Sequence, residues 1–207
     1  MVDLHPNILK FLNKNKELIQ EEKFEELYED LYNYRKDFSY PPFQAYDIGK
    51  LTKVFYDLDE LDNILRLMNG IPPLMFYGIS GIDTLTIPGN ISFTGLESFE
   101  ASEFKKVIIE PGCQMIGRQS FYGCKAEKIE LPDTVTNFND HCFYLCSNLT
   151  SFKIPRGLQH IGHNAFGRCD NLTEIWVPKS LKSWFLEQLE HSGPDFPSDR
   201  GCEIKTY

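Results

Sequence analysis

The chain contains one group of residues whose chemistry suits a metal ion. His160 and His163 stand three positions apart, and His141 and Cys142 precede them. Zinc sites use imidazole and thiolate ligands, but in paired frames such as C-x-x-C or H-E-x-x-H, and neither frame occurs here. The two later histidines flank the apolar Ile161, so we expect them to face outward. We therefore predict no metal site and no cofactor, and we interpret these residues as exposed polar positions.

Six cysteines raise the question of a nucleophile or of disulfides. Cys124, Cys146 and Cys169 each follow a phenylalanine by three residues, so they occupy one position of a repeated pattern. A small side chain that recurs in this way indicates packing, and no histidine outside the pattern stands near these three. We predict free thiols at these positions and at the three others, which are Cys113, Cys142 and Cys202.

The remaining motifs that carry chemistry have structural interpretations. Asp57 and Asp59 are spaced as in a calcium loop, but Leu61 takes a ligand position and the loop glycine is missing, which favours a helix N-terminus. Asn148-Leu-Thr and Asn171-Leu-Thr fit the glycosylation triplet, yet both belong to a repeated Cys-x-Asn-Leu-Thr sequence. Phosphate-binding glycine loops, G-x-S-x-G and kinase motifs do not occur in the sequence. We therefore predict that the protein is not an enzyme.

Length, composition and charge fit a folded soluble protein. The 207 residues, of which 42% are hydrophobic, are enough to bury a core in one or two domains. The net charge is −9, and no basic patch favours direct nucleic-acid binding. No apolar run approaches the length of about 20 residues that spans a bilayer, and the N-terminal residues lack the pattern of a secretory signal. We expect a cytoplasmic protein without membrane association.

A motif that returns every 22 or 23 residues organises the region from Ile82 to about Leu181. A period of this length is typical of a solenoid, in which each coil buries its apolar face against its neighbours. Apolar residues alternate before a proline, as in Phe152, Ile154 and Pro155, and this predicts a short strand that the proline ends. The repeated positions are the prolines Pro88, Pro132, Pro155 and Pro178, the phenylalanines Phe99, Phe121, Phe143 and Phe166, and the cysteines Cys124, Cys146 and Cys169.

Segments of different character flank the repeat. Upstream, Phe24, Leu27 and Leu31 recur at helical spacing, and further apolar stripes predict an N-terminal helical cap over residues 1–75. Downstream, Trp184 and Phe185 belong to a predicted amphipathic helix, which a strand near residues 202–206 follows. We therefore predict two units, the helical cap over 1–75 and a five-coil solenoid with a C-terminal capping helix and strand over 76–207.

The columns resemble the BspA-like leucine-rich repeat, whose pattern reads approximately L-x-x-I-x-I-P-x-x-V-x-x-I-G-x-x-A-F-x-x-C-x-x-L. Residues 149–169, L-T-S-F-K-I-P-R-G-L-Q-H-I-G-H-N-A-F-G-R-C, match it almost letter for letter. The resemblance covers residues 82–184 and implies an α+β chain with a right-handed solenoid of short parallel strands. It also implies adhesion or protein binding and no enzymatic activity. The helical N-terminal segment is similar to the lead-ins of some phage-encoded members.

Two surfaces are predicted to bind a protein partner. The outward positions of successive strands form a ladder, on which apolar and aromatic side chains stand among charges, as in an interaction hot spot. The second surface is the acidic face of a predicted helix, which suits a basic groove or imitates a phosphate backbone. The residues are Thr86, Ile108, Glu130, Lys153 and Trp176 on the ladder, and Glu25, Glu26, Glu29 and Asp30 on the helix.

From these surfaces we expect a noncatalytic scaffold for protein–protein interaction. A specific version is an inhibitor or adaptor, encoded by a phage or another mobile element, that acts on a host complex such as a defence complex. A surface adhesin that binds host or matrix proteins is the alternative, which a cleaved N-terminus or surface labelling would favour. An enzyme is the third class, which bound metal or cofactor would favour.

Overall fold

Short strands recur along the chain at the repeat spacing. The computed structural model describes residues 69–71, 76–191, 195–196 and 201–207. A 3-10 helix over Lys179–Leu181 leads into helix α1, Lys182–His191. The helices predicted before residue 69 lie outside the described residues. The strands are β1 Thr84–Ile87, β2 Phe93–Thr94, β3 Lys106–Ile109, β4 Met115–Ile116, β5 Lys128–Glu130, β6 Asn137–Phe138, β7 Ser151–Lys153, β8 His160–Ile161, β9 Glu174–Val177 and β10 Glu203–Thr206.

The strands form parallel sheets to which each coil of the chain adds one strand. β2, β4, β6 and β8 lie side by side in one sheet, β1, β3 and β5 form a second, and β7, β9 and β10 form a third. The pairings are parallel because successive coils run in the same direction. Four coils are complete, from β1–β2 to β7–β8, and β9 begins a fifth that the helix replaces. This confirms the predicted solenoid of short parallel strands; its handedness stays a prediction.

Alternation along each strand decides which side chains enter the core. In β9, Ile175 and Val177 are buried while Glu174 and Trp176 are partly exposed. β1 and β3 bury the same two positions, because successive side chains of a strand point to opposite faces. The inward positions predicted from the sequence are confirmed. Leu131 is less buried than the other inward residues, because it is only partly covered where it packs against the core.

The sheet that begins with β1 ends after β5, whereas the sequence analysis expected one continuous ladder. β5 pairs with β3 but not with β7. The break coincides with an inserted residue, since four residues separate Cys124 from Ile129 and five separate Cys146 from Phe152. We attribute the break to this insertion, because the strand of the longer coil starts at a different point. The two coils that contain the extra residue pair with each other through β7 and β9.

A stack of phenylalanine rings runs through the core along the solenoid. Successive rings lie in nearly parallel planes, with centroid separations of 5.3, 5.1, 5.8 and 5.4 Å. Such offset stacks add to the free energy gained from burying the rings. The sequence identified four members of this column and missed the first one. The stacked rings are Phe76, Phe99, Phe121, Phe143 and Phe166, and all five are buried.

The cysteine column is a second internal ladder. The thiol of Cys146 donates to the carbonyl oxygen of Phe121 at 3.2 Å, and that of Cys169 donates to Phe143 at 3.0 Å. In the first coil the hydroxyl of Ser102 makes the corresponding bond, to the carbonyl of Phe76 at 3.0 Å. At these three positions a small side chain donates to the same kind of carbonyl, and this explains why serine can replace cysteine in the first coil.

Elements outside the repeat's regular columns extend the described solenoid at both ends. At the start, Ile71 bridges to Thr94, so the repeat extends upstream of Ile82, where the sequence analysis began it. At the far end, the edge of Phe196 contacts Phe166 at 6.4 Å. Helix α1 buries Phe185 and leaves its opposite face exposed, which confirms the predicted amphipathic helix.

Candidate interaction surfaces

The outer face of β1, β3 and β5 carries three of the predicted contact residues. Thr86, Ile108 and Glu130 are register partners and therefore form one row across the strands. All three are partly exposed. The Glu130 carboxylate binds Lys106 at 3.1 Å and Lys128 at 2.7 Å, and hydrogen bonds from Lys128 and then Lys106 lower its pKa. We call these five residues the N-terminal sheet face.

The outer face of β7, β9 and β10 carries the other two predicted contact residues. Lys153 is the register partner of Trp176, which in turn pairs with Lys205 of the C-terminal strand. The Trp176 indole donates from Nε1 to Glu174 Oε2 at 3.1 Å. Lys205 bonds to the other oxygen of the same carboxylate, and hydrogen bonds from Lys205 and then Trp176 lower the pKa of Glu174. The indole is thus held in a fixed position on the sheet.

Tyr207 extends this surface, and the sequence analysis did not identify it. Its ring lies under two cations, with Lys153 Nζ 4.2 Å and the Arg156 guanidinium 4.8 Å from the ring centroid. Its hydroxyl donates to the carbonyl of Ile154 at 2.8 Å. The strand predicted near residues 202–206 could have identified Tyr207, because the residue after that strand must lie beside the end of β9. We call Lys153, Trp176, Lys205 and Tyr207 the C-terminal sheet face.

The structure divides the predicted ladder into these two faces. Each face is internally in register, but no pairing joins β5 to β7. The predicted ladder therefore lacks strand pairing between β5 and β7, although these two strands remain neighbours. The residues predicted on the acidic helix lie outside the described residues, and that surface stays a prediction; they are Glu25, Glu26, Glu29 and Asp30.

A third surface lies at the turns that carry the phenylalanine column, and the sequence analysis missed it. The rings of Tyr122 and Tyr144 stack at 5.2 Å. The Tyr144 hydroxyl donates to Asp195 Oδ2 at 3.2 Å, and the His141 ring lies 5.2 Å from Tyr144. His141 also lies 5.7 Å from His163. We call Tyr122, Tyr144, His141 and His163 the tyrosine–histidine strip.

Electrostatics on the strip are dominated by partial burial and by neighbouring cations. Desolvation and then His163 lower the pKa of His141, with a further lowering contribution from Arg118, against the opposite effects of Asp140 and Asp195. His141 therefore favours its neutral form more than a free imidazole does. His160 and His163 are exposed, as predicted for the pair that flanks Ile161.

The thiols are not placed for nucleophilic chemistry. All six cysteines are free and buried. Burial raises the pKa of Cys124 to about 12 and those of Cys113 and Cys202 to about 11. It also raises the pKa values of Cys142 and Cys146 well above the ordinary thiol range. Since the thiolate is the nucleophilic form, these five groups remain protonated and unreactive at neutral pH.

The described part of the chain also bears on metal binding and membrane insertion. No three histidine, cysteine, aspartate or glutamate side chains within it are grouped so that they suit a metal ion. Over the same residues, no helix combines the length and the apolar character that crossing a membrane requires.

Comparisons with known proteins agree with the repeat. The family model for the BspA type leucine rich repeat region matches residues 69–189 in six copies. A leucine-rich repeat protein from Bacteroides ovatus, known from a crystal structure, is similar at 22% identity with a TM-score of 0.37. That match covers 61% of this chain and 43% of the Bacteroides chain. No curated protein gives a significant match. The match of the repeat model to more than half of the sequence shows that this chain belongs to the BspA-type leucine-rich repeat family.

Proposed function

We propose that this protein is a noncatalytic scaffold that binds another protein, with the C-terminal sheet face as its main contact surface. The observation that carries the proposal is the fixed Trp176 indole, which Glu174 and Lys205 hold beside Lys153. Tryptophan is among the residues enriched at interaction hot spots. A side chain that is already ordered loses little conformational entropy when a partner binds. The repeat family supports a scaffold role in general.

The chemistry of this face indicates a partner surface with both apolar and polar parts. Trp176 is only partly exposed, so a partner would cover one part of the indole. Lys153 and Arg156 lie over the Tyr207 ring. Arg156 is paired with Asp133 at 3.6 Å, whereas the charge of Lys153 stays available to a carboxylate of the partner. We expect the partner to place an apolar group against Trp176 and carboxylates around it.

The N-terminal sheet face is better suited to the edge of the interface. Its three charged residues already pair with one another, since Glu130 binds both lysines. Exposed ion pairs of this kind contribute about 0–1 kcal/mol and are weakened by salt. Thr86 and Ile108 add small contact areas next to them. We propose that this face contributes to partner selectivity and little to affinity.

We further propose that the protein acts in the cytoplasm, as an inhibitor or adaptor that a phage or another mobile element directs against a host complex. Six free, buried thiols support a reducing compartment. A surface adhesin is the competing function. Fractionation of native cells decides between them, because recovery on the cell surface would contradict the cytoplasmic proposal.

Affinity capture from the native host tests the contact surface. We expect the tagged chain to retain a protein complex that the double variant Trp176→Ala/Lys153→Ala retains roughly 30-fold less well, as for the loss of about 2 kcal/mol at a hot spot. A double variant at exposed residues elsewhere, Lys125→Ala/Gln159→Ala, is the matched control. Circular dichroism and melting curves verify that each variant folds. Equal capture by all three proteins would reject the C-terminal sheet face.

A further inference from the structure

We infer that the tyrosine–histidine strip, together with Arg118 and Arg168, is a second binding surface that takes a short acidic segment of a partner protein. The strip lies at turns of the second to fourth coils, away from the sheet faces of the proposed function. The inference therefore concerns another contact, and it is tested independently of the first.

The two arginines supply donors that nothing in the described part of the chain engages. Arg118 and Arg168 are exposed, and neither forms an ion pair with a described residue, unlike Lys106, Arg156 and Lys205. Both stand beside the strip. The backbone N–H of Arg168 donates to the carbonyl of Asp195 at 3.1 Å, and Asp195 is the residue that accepts from Tyr144. The backbone N–H of Gln119, next to Arg118, donates to the carbonyl of Asp140 at 3.0 Å, next to His141. Guanidinium groups bind carboxylates through two parallel hydrogen bonds, which gives geometric specificity as well as strength.

The carboxylates on this surface are already used as acceptors. Asp140 Oδ1 accepts from the backbone N–H of His163 at 2.8 Å, and Asp195 Oδ2 accepts from the hydroxyl of Tyr144. Each of these carboxylates thus has one oxygen engaged within the chain. The two guanidinium groups have no such partner among the described residues, and a carboxylate-bearing ligand suits them best.

The aromatic part of the strip is ordered before any ligand binds. Tyr144 stacks on Tyr122 and is fixed through its hydroxyl. Its ring also covers Gly167, where an added Cβ would lie 2.6 Å from the ring carbons. Ordered tyrosines provide contact area at a small entropic cost, as they do in many binding sites.

The preceding coil limits how long the bound segment can be. Glu100 occupies there the column position of Tyr122 and Tyr144, and Glu97 stands close enough to act on its charge. A long polyanion that followed the solenoid axis would meet these two carboxylates, and repulsion would oppose it. A short acidic peptide fits beside the strip, whereas a nucleic acid or a sulfated polysaccharide does not.

Fluorescence anisotropy with a short labelled peptide of glutamate and tyrosine tests the inference on the full chain. We expect saturable binding that salt weakens. Arg118→Ala/Arg168→Ala should weaken it about tenfold or more, as expected for lost charge-assisted bonds. The matched control, Lys125→Ala/Lys182→Ala, removes the same number of charges at exposed positions elsewhere and should bind as the native chain does. Trp176→Ala/Lys153→Ala should also bind normally, which separates this surface from the proposed function.

Acidification supplies a second readout. Protonation of His141 adds positive charge among Arg118, Asp140 and Asp195. Because desolvation and then His163 lower the pKa of His141, we expect binding to tighten as the pH falls below the ordinary imidazole range, from pH 7 to pH 5. The variant His141→Gln should lose most of this dependence while it keeps the effect of salt. If the alanine substitutions at the arginines reduce folding, Arg118→Lys serves instead, since it keeps the charge and removes the bidentate geometry.

Three results would overturn the inference. The first is no binding of the peptide by the native chain, and the second is unchanged binding by the variant that lacks both arginines. The third is tighter binding of a single-stranded oligonucleotide or of heparin through the same arginines, because the surface would then serve a polyanion.

Discussion

The ammonium of Lys205 lies 5.5 Å from the centre of the Trp176 ring, directly across the register of two parallel strands. The same ammonium bonds to Glu174, which accepts from the indole through its other oxygen. The last strand of the described chain therefore orders the aromatic residue that the sequence analysis had singled out. Removal of this strand should leave Trp176 in place along β9 but free to change its side-chain conformation.

Substitution of a central ring in the phenylalanine stack should cause a large loss of stability. Phe143 is fully buried, stacks on Phe121 and Phe166, and contacts Phe138 and Phe152 through other ring orientations. We expect Phe143→Ala to lower the free energy of unfolding by about 3–5 kcal/mol, because it leaves a cavity that neighbouring coils cannot close. Urea denaturation followed by circular dichroism measures the change.

Phe93 is the matched control for that experiment, since it is 40% exposed. Phe93→Ala removes the same atoms from a surface position, and we expect a loss of about 1 kcal/mol or less. Equal losses for the two variants would mean that the stack does not form the core.

Exchanges between glycine and alanine at equivalent turn positions of two consecutive coils should change the stability in opposite directions. Ala101 has φ of 55° and Gly123 has φ of 64° at the equivalent position, in the left-handed region that residues with a Cβ disfavour. Strain of about 1–2 kcal/mol is partly offset by the entropy of the unfolded chain. We therefore expect Ala101→Gly to stabilise the protein by about 0.5–1 kcal/mol and Gly123→Ala to destabilise it similarly.

Thermal or urea unfolding of these two variants checks the signs. The comparison is clean because a Cβ at Gly123 would touch no other atom, so only the backbone conformation is tested. Destabilisation by Ala101→Gly together with stabilisation by Gly123→Ala would show that the entropy of the unfolded chain outweighs the strain.

Thiol labelling should separate the folded from the unfolded chain. The six cysteines are free and buried, and burial raises the pKa of Cys124 to about 12. We expect almost no reaction with a thiol reagent at pH 8 in native protein, and reaction of all six after denaturation without a reductant. Fewer than six reactive groups in the unfolded chain would reveal disulfides and contradict the account of the cysteine column.

Glu100 should make stability depend on pH near neutrality. Burial, and then the charge of Glu97, raise the pKa of Glu100 from 4.5 to about 7 in the folded state. Between these values the folded chain binds more protons than the unfolded chain, so the free energy of unfolding falls as pH rises through 7. Glu100→Gln should reduce this fall, as measured by denaturation at pH 5 and pH 8.

Glu97→Gln distinguishes the two causes. Because burial is the larger one, most of the pH dependence should remain in this variant. An unchanged slope in Glu100→Gln would assign the titration to another group.

The sequence predicted those features that depend on position within a single coil. The phenylalanine and cysteine columns follow from the spacing alone, because stacked coils place equivalent residues on top of one another. Phe76 was missed since the proline and cysteine columns do not extend to its coil. The inserted residue at Asn148 changed the period by one, which is too small a difference to reveal a break in the sheet.

Contacts between columns were harder to predict. The tyrosine–histidine strip combines residues from different columns of neighbouring coils, so no single spacing identifies it. Asp195 and Phe196 reach the strip and the phenylalanine stack from beyond α1, and such contacts depend on the path of an irregular segment. The two sheet faces fall between these cases, since the outward positions were correct and the missing strand pairing between β5 and β7 was not predicted.

Site-specific photo-crosslinking in native cells tests most directly whether the C-terminal sheet face contacts the partner. Ser151 is exposed on the outer face of β7, which also carries Lys153 two residues later. Lys125 is an exposed control on a turn. A crosslinking side chain at position 151 should join the chain covalently to one partner protein, and the same side chain at position 125 should not. Crosslinks at 125 with none at 151 would contradict the claim.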